Sequence, residues 1–266
     1  MAKMSLFIIK TLEQVKEKYD LIQNLLDIQV ATEIMEKGLE PKKNQPKLKV
    51  NPIDTNYKQL NCRITELLPG QADYQMIEKY VNNTSGTRRI RIIDCFEVIR
   101  EGENVVYNPK KLHNRKLLWH GSRFSNFVGI LSQGMRIAPP EAPSSGFLFG
   151  KGVYFADLIG KSFPYCRPEI SGGVATFVLC EVALGNMRPL NGPDRDAARL
   201  PNGFHSTHAI GRQRPKPSES ETYFDHVEVP LGRIEDVPTG GMGSNEFVVY
   251  NTNQIKMRFI VRCKAY

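Results

Sequence analysis

The chain has 266 residues, enough for one large domain with a small attachment and a real buried core. Its 41% hydrophobic and 24% charged residues are ordinary for a globular protein, and no apolar run approaches the roughly 18 residues that span a bilayer. A net charge of +8 fits a solvated basic surface, a polyanionic partner or an anionic dinucleotide substrate.

The N-terminus carries a short apolar patch without a small-residue cleavage site, so no signal peptide is expected. Residues 12–37 read as one amphipathic helix, because Leu12, Val15, Tyr19, Ile22, Leu26, Val30 and Ile34 step by three or four. Gly38 is its expected stop. The stretch LEPKKNQPKLKVNP has little to bury and reads as a linker whose basic run could also serve as a nuclear address. The pattern changes at Asn51, which divides the chain into 1–50 and 51–266.

In the second part a helix is expected around Ala72–Val81, followed by the polar turn NNTSGTRR and the β-rich run RIRIIDCFEVI. Short strand-like runs come next: KLLWH, GVYFAD, VATFVLCEVAL, DHVEVPL, NEFVVYN and MRFIVRC. Helical intervals are few, chiefly Asn126–Ser132 ending at Gly134 and a short one after Asp157. Strands that do not alternate regularly with helices predict an α+β fold with largely antiparallel sheet. Residues 189–221 are rich in Pro, Gly, Arg and Ser without periodicity, and read as a long surface loop system.

Several chemistries are excluded. There is no GxGxxG after a strand, no GxxxxGK[ST], no HExxH and no GxSxG. The five cysteines are scattered and lack CxxC spacing, which argues against a zinc site and a disulfide framework. Three polar clusters beside strands remain. LLWHGSR delivers His, Gly, Ser and Arg at a strand end, where a glycine lets a ligand approach the backbone. FGKGVYFADLIGKSFPYC holds Tyr154 and Tyr165 with Lys161 and Ser162 between them, and SNEFVVY puts Glu246 at the mouth of an apolar strand. Singly, His120, Tyr154 and Glu246 each have an ordinary structural explanation.

Together the clusters resemble the catalytic domain of the DNA-damage-responsive poly(ADP-ribose) polymerases. The resemblance rests on LHNRKLLWHGSRFSNFVGILSQGMRIAPPEAPSSGFLFGKGVYFAD, CEVALGNM and NEFVVYN, runs from roughly Asn51 to Tyr266, and extends weakly back to about Val15. It implies an ADP-ribosyltransferase fold of two mainly antiparallel sheets forming an NAD cleft over 51–266, with a partial helical regulatory segment and linker over 1–50. It also implies NAD as substrate, no metal, release of nicotinamide, and transfer of ADP-ribose to acceptor proteins including the enzyme itself.

The family's triad falls on His120, Tyr154 and Glu246. Gly121 would read the nicotinamide carboxamide, Ser162 would add a hydrogen bond, and Tyr165 would stack on the ring with Tyr154 on the other side. His120 would bond a ribose hydroxyl, Ser122, Asn126 and Arg136 would face the adenosine half, and Lys161 would orient the substrate. Glu246 would hold the ribose while positive charge develops at its anomeric carbon. LIQNLLDIQVA resembles the last helix of the family's helical domain, with Asp27 toward the adenosine end. A nuclear setting follows by resemblance, and a DNA-break response would need modules that this sequence does not contain. Ser244 stands where polymerases carry an aromatic residue and Leu148 where they carry methionine, both on the acceptor side. Both departures count against chain elongation, but Glu246, which mono-transferases of this superfamily often lack, keeps polymer synthesis as the first expectation and mono-ADP-ribosyl transfer as the second. An inactive NAD or ADP-ribose binding module comes third, and a nucleic-acid-binding protein rests on charge alone.

Overall fold

The computed structural model describes residues 9–39, 51–108, 111–139 and 147–266. Helix α1 (Leu12–Leu39) is followed by α2 (Pro52–Gln59), strand β1 (Cys62–Glu66), α3 (Ala72–Thr84) and β2 (Ile90–Arg100). Next come α4 (Glu103–Val106), β3 (Arg115–Gly121), α5 (Phe127–Gln133), β4 (Val153–Phe155) and α6 (Ile159–Ser162). The rest is almost entirely strand: β5 (Val174–Ala183), β6 (Met187–Leu190), β7 (Ser206–Ala209), β8 (Gly211–Pro215) and β9 (Glu221–Tyr223). It ends with β10 (Val227–Val229), β11 (Ile234–Asp236), β12 (Met242–Ser244), β13 (Glu246–Val249) and β14 (Ile255–Ala265).

A seven-stranded sheet has the order β1-β2-β14-β5-β3-β10-β9, and a four-stranded sheet the order β4-β13-β7-β6. A further three-stranded sheet, β11-β8-β12, was not foreseen. Pairing is antiparallel except for β3 with β10, β8 with β12 and β6 with β7. The fold is α+β, as expected. One core packs α3 and α6 against the large sheet through Ile77, Tyr80, Trp119 and Phe177. The other joins the large and four-stranded sheets through Leu118, Val178, Phe155 and Phe247. Strand β3 has both faces covered, which is why Leu117, Leu118 and Trp119 form an unbroken apolar run, each 0% exposed.

Two readings change. Helix α1 runs through Gly38 to Leu39, and the expected stripe is covered only in part: Val15, Val30 and Ile34 are half-buried, whereas Ile22 and Leu26 are exposed, as are Leu21, Leu25 and Ile28 on other sides. Apolar residues lie all around this helix, so a spacing of three or four does not single out one face. The side chains of Leu12, Tyr19 and Asp27, and the linker at 40–50, lie outside the described residues. Within the supposed loop at 189–221 the chain forms β7 and β8 in full and parts of β6 and β9. Strand β7 pairs with β13 from Ser206↔Val249 to Ala209↔Glu246. Its few residues find their partner far along the chain, and local periodicity carries no trace of such pairing.

The β14–β5 ladder shifts register between Met257 and Phe259, and the Met257 N–H donates instead to Glu103 Oε2 at 3.1 Å. Burial pushes the Glu103 carboxyl up to about 7, although the bond from Met257 pulls it down. The folded state therefore holds a proton that the unfolded chain releases near 4.5, and this group's contribution is lost as pH rises from 4.5 through 7. Glu103→Gln keeps an acceptor for Met257 without that titration. Urea unfolding should show the variant gaining on wild type by about 2 kcal/mol between pH 5 and pH 7.5, and parallel curves would refute the assignment.

Candidate active site

The two larger sheets meet where Trp119 and Ala156 exchange backbone hydrogen bonds, Trp119 N–H to Ala156 O at 2.8 Å and Ala156 N–H to Trp119 O at 3.0 Å. Beyond this bridge the sheets separate around a cleft of about 610 Å³, a size suited to a small-molecule ligand. His120 and Gly121 enter it from the end of β3, Tyr154 from β4, and Glu246 from the start of β13. Ser122, Asn126, Arg136, Lys161, Ser162 and Tyr165 line the same cleft, whereas Asp27, also expected toward it, has its side chain outside the described residues.

His120 Nδ1 lies 2.9 Å from the Tyr154 carbonyl oxygen. A carbonyl can only accept, so Nδ1 carries the proton and Nε2 keeps its lone pair. Burial lowers the imidazole pKa, with the Tyr154 carbonyl partly opposing it, and the ring is neutral at pH 7. Gly121 packs against the turn after α6: a Cβ there would sit 2.2 Å from the Ser162 carbonyl oxygen. Ser162 is buried and its hydroxyl donates to the Trp119 carbonyl at 3.3 Å.

The Tyr154 hydroxyl is fully occupied, accepting from Phe149 N–H at 3.0 Å and donating to Gly150 O at 2.6 Å. Burial keeps the phenol protonated, well above the ordinary tyrosine range. Tyr250, just beyond β13, donates to the Phe149 carbonyl at 2.8 Å and holds the same turn from its other side. Tyr154 thus braces the wall it belongs to and offers its ring, not a proton, to the cleft.

Glu246 is only 6% exposed, and its Oε1 lies 2.8 Å from Lys161 Nζ. Burial would lower the Lys161 ammonium, but the hydrogen bond and charge of Glu246, with a contribution from Tyr165, together outweigh it and the pKa ends above the ordinary lysine value. The ammonium also lies 5.9 Å from the centre of the exposed Tyr165 ring. At the other end, Asn126 Nδ2 donates to Ser122 Oγ at 3.0 Å, and Arg136 donates to Gln133 Oε1 at 3.1 Å. Leu26 of α1 and Leu148 also line the cleft.

Sequence reasoning passed over Asp157 and Asn245, two buried polar residues joined by a 2.7 Å hydrogen bond behind Glu246. SNEFVVY stood out through Glu246 and GVYFAD through Tyr154, both of which line the cleft, and the buried polar residues in the same runs did not stand out. Among the described residues no group of three or more His, Cys, Asp or Glu could hold a metal ion, and no helix is long and apolar enough to cross a membrane.

Residues 71–265 match the poly(ADP-ribose) polymerase catalytic domain, and residues 1–57 match the regulatory domain of the same polymerases. Poly [ADP-ribose] polymerase 2-A of Oryza sativa subsp. japonica is 42% identical over 97% of this chain and 39% of its own length. Poly [ADP-ribose] polymerase 1 of Gallus gallus is 40% identical over 97% of this chain and 25% of its own length. The chain therefore spans well under half the length of these relatives. With its two sheets opening onto this cleft and both family regions matched, the chain belongs to the poly(ADP-ribose) polymerase family.

Proposed function

We propose that this chain is an NAD-dependent protein ADP-ribosyltransferase that builds poly(ADP-ribose), with residues 51–266 as the catalytic unit and 1–50 as a regulatory segment and linker. The observation that carries this reading is the meeting of His120, Tyr154 and Glu246, from three strands of two sheets, around one cleft. Nicotinamide is flat and cationic in NAD, and the Tyr154 and Tyr165 rings offer it aromatic faces. Its carboxamide needs one donor and one acceptor, which the backbone at Gly121 supplies where no side chain intervenes, with Ser162 beside it. The neutral His120 offers an acceptor nitrogen to a ribose hydroxyl. Ser122, Asn126 and Arg136 take the adenosine half.

The reaction breaks the bond between the nicotinamide nitrogen and the anomeric carbon. The bonding electrons leave with nicotinamide, which becomes neutral, and positive charge grows on the ribose. Glu246 holds the ribose 2′-hydroxyl and places its charge near that carbon before the bond breaks. The acceptor oxygen then attacks the carbon, and its proton passes to the carboxylate. Protein acceptors, self-modification and a nuclear setting belong to the same proposal.

Glu246→Gln should leave the KM for NAD near wild type while transfer falls about 100- to 1000-fold, followed by nicotinamide release. Unchanged turnover would remove Glu246 from the mechanism. Gly121→Ala must push its methyl into the Ser162 carbonyl, so KM should rise about tenfold or more. A wild-type KM in a folded Gly121→Ala protein would mean that nicotinamide does not pack there. Leu148 and Ser244 on the acceptor side favour a second reading, single-unit transfer. Labelled NAD decides between them: a smear of automodified protein on a gel supports polymer, and a sharp band supports single units.

A further inference from the structure

Asp157 follows the Ala156 bridge and is only 4% exposed. A carboxyl so deeply buried is rare without a specific partner. Its Oδ2 accepts from Asn245 Nδ2 at 2.7 Å, and Asn245 is itself 3% exposed. The other end of the amide, Asn245 Oδ1, accepts from Gly211 N–H at 2.9 Å. Gly211 sits so close to this segment that a Cβ on it would lie 2.1 Å from the Ser244 carbonyl carbon. Both ends of the Asn245 amide are thus engaged, and the backbone on its N-terminal side is confined. The next residue is Glu246.

On the other side of Asp157, the Ala156–Trp119 exchange fixes the chain one residue before His120. A single carboxyl therefore ties the strand junction behind the imidazole to the entry of the strand that carries the cleft's glutamate. We propose that Asp157 is a positioning residue: through Asn245 it sets the backbone that aims the Glu246 carboxylate at the substrate ribose. This inference rests on the transferase reading and adds to it a residue outside the cleft lining.

The surroundings indicate what Asp157 supplies. Burial pushes its carboxyl up to about 7, while the Asn245 bond, Lys116 and Arg214 pull it down. His208 stacks on Phe247 with ring centroids 4.7 Å apart, and burial lowers its pKa, so it brings no positive charge at pH 7. Near neutrality the carboxyl holds its proton in a large share of molecules, and in either form an oxygen remains to accept from Asn245. The requirement is for an acceptor at this point rather than for a charge, and asparagine can meet it.

The test is steady-state NAD turnover and nicotinamide release by the 266-residue chain, by D157A, D157N and N245A, and by the D157A/N245A double variant. D157A and N245A should each lose about 100-fold in kcat, the effect of roughly 1 Å of misplacement at a reacting centre. Their KM for NAD should stay within about twofold. D157N should recover kcat to within about fivefold of wild type, the scale of one net hydrogen bond. The double variant should be no slower than the slower single one, because both act through one contact. D157A with wild-type kcat, equal losses in D157A and D157N, or multiplicative losses in the double variant would overturn the inference. Should D157A fail to fold, N245A carries the test: lost kcat with kept KM supports the inference, and unchanged kcat overturns it. An active wild type beside an unchanged D157A defeats this inference alone, whereas a wild type that releases no nicotinamide defeats the transferase reading with it.

Discussion

Two backbone hydrogen bonds between Trp119 and Ala156 hold the seven-stranded and four-stranded sheets together at the floor of the cleft. Both residues are almost fully buried, so the bridge forms out of reach of water, where a broken backbone bond costs most. The strands flanking it are pinned by packing on both sides. Trp119 faces Tyr80 and Phe177 in one core, while Leu118 and Phe155 meet in the other. The bond from His120 to the Tyr154 carbonyl extends the same stitch by one residue. A site built at the ends of such strands inherits their rigidity, and preorganised electrostatics depend on that rigidity.

The same junction explains how a carboxylate can stay nearly dry. Glu246 has little contact with water, and an unpaired charge there would be strongly unfavourable. Lys161, 2.8 Å away, supplies the compensating charge while remaining partly exposed itself. On the proposed reading, a cationic nicotinamide ribose entering the cleft brings a second positive group toward this pair. The carboxylate then faces two cations, and the one whose charge grows during the reaction gains more from it as the bond breaks. Ion pairing at rest is thus compatible with stabilising a transition state, because the attraction that matters is the increase on going to that state.

The legible parts of the sequence were those where chemistry and local pattern coincide. The strands from RIRIIDCFEVI to MRFIVRC lie within a few residues of the runs that announced them, and the α5 interval ends at Gly134, which adopts φ 83°. The candidates in the three polar clusters all reach one cleft because they sit on strands β3, β4 and β13 or just past β3, or, for Lys161, Ser162 and Tyr165, on the helical turns that follow β4. What stayed hidden is non-local. The pairing of β7 with β13 brings Ala209 beside Glu246 through a segment with no periodicity of its own. Asp157 reads as the end of an ordinary strand run. Its role in the fold exists only because Asn245, far along the chain, closes on it. On α1 the stripe was legible in part: Val15, Val30 and Ile34 are half-buried, while Ile22 and Leu26 are exposed because apolar residues satisfy a helical spacing on several faces at once.

The titratable groups around the cleft narrow the chemistry further. Of the described residues that line it, Glu246 is the one carboxylate. The Tyr154 hydroxyl is committed to its own turn and its proton is held tightly, and His120 is neutral with its proton given to a backbone carbonyl. Lys161 is a cation already paired with the glutamate. Cleavage of an ordinary glycoside needs an acid for the departing oxygen as well as a carboxylate for the sugar, hence two carboxyl groups. Among its described lining residues this cleft has no second carboxyl to serve as that acid. It suits a sugar whose leaving group departs without needing a proton, and a positively charged nitrogen heterocycle on ribose is such a group because breaking its bond neutralises it. On the proposed reading that bond is the nicotinamide–ribose bond of NAD, and the Tyr154 and Tyr165 rings that line the cleft are the faces offered to its flat cation.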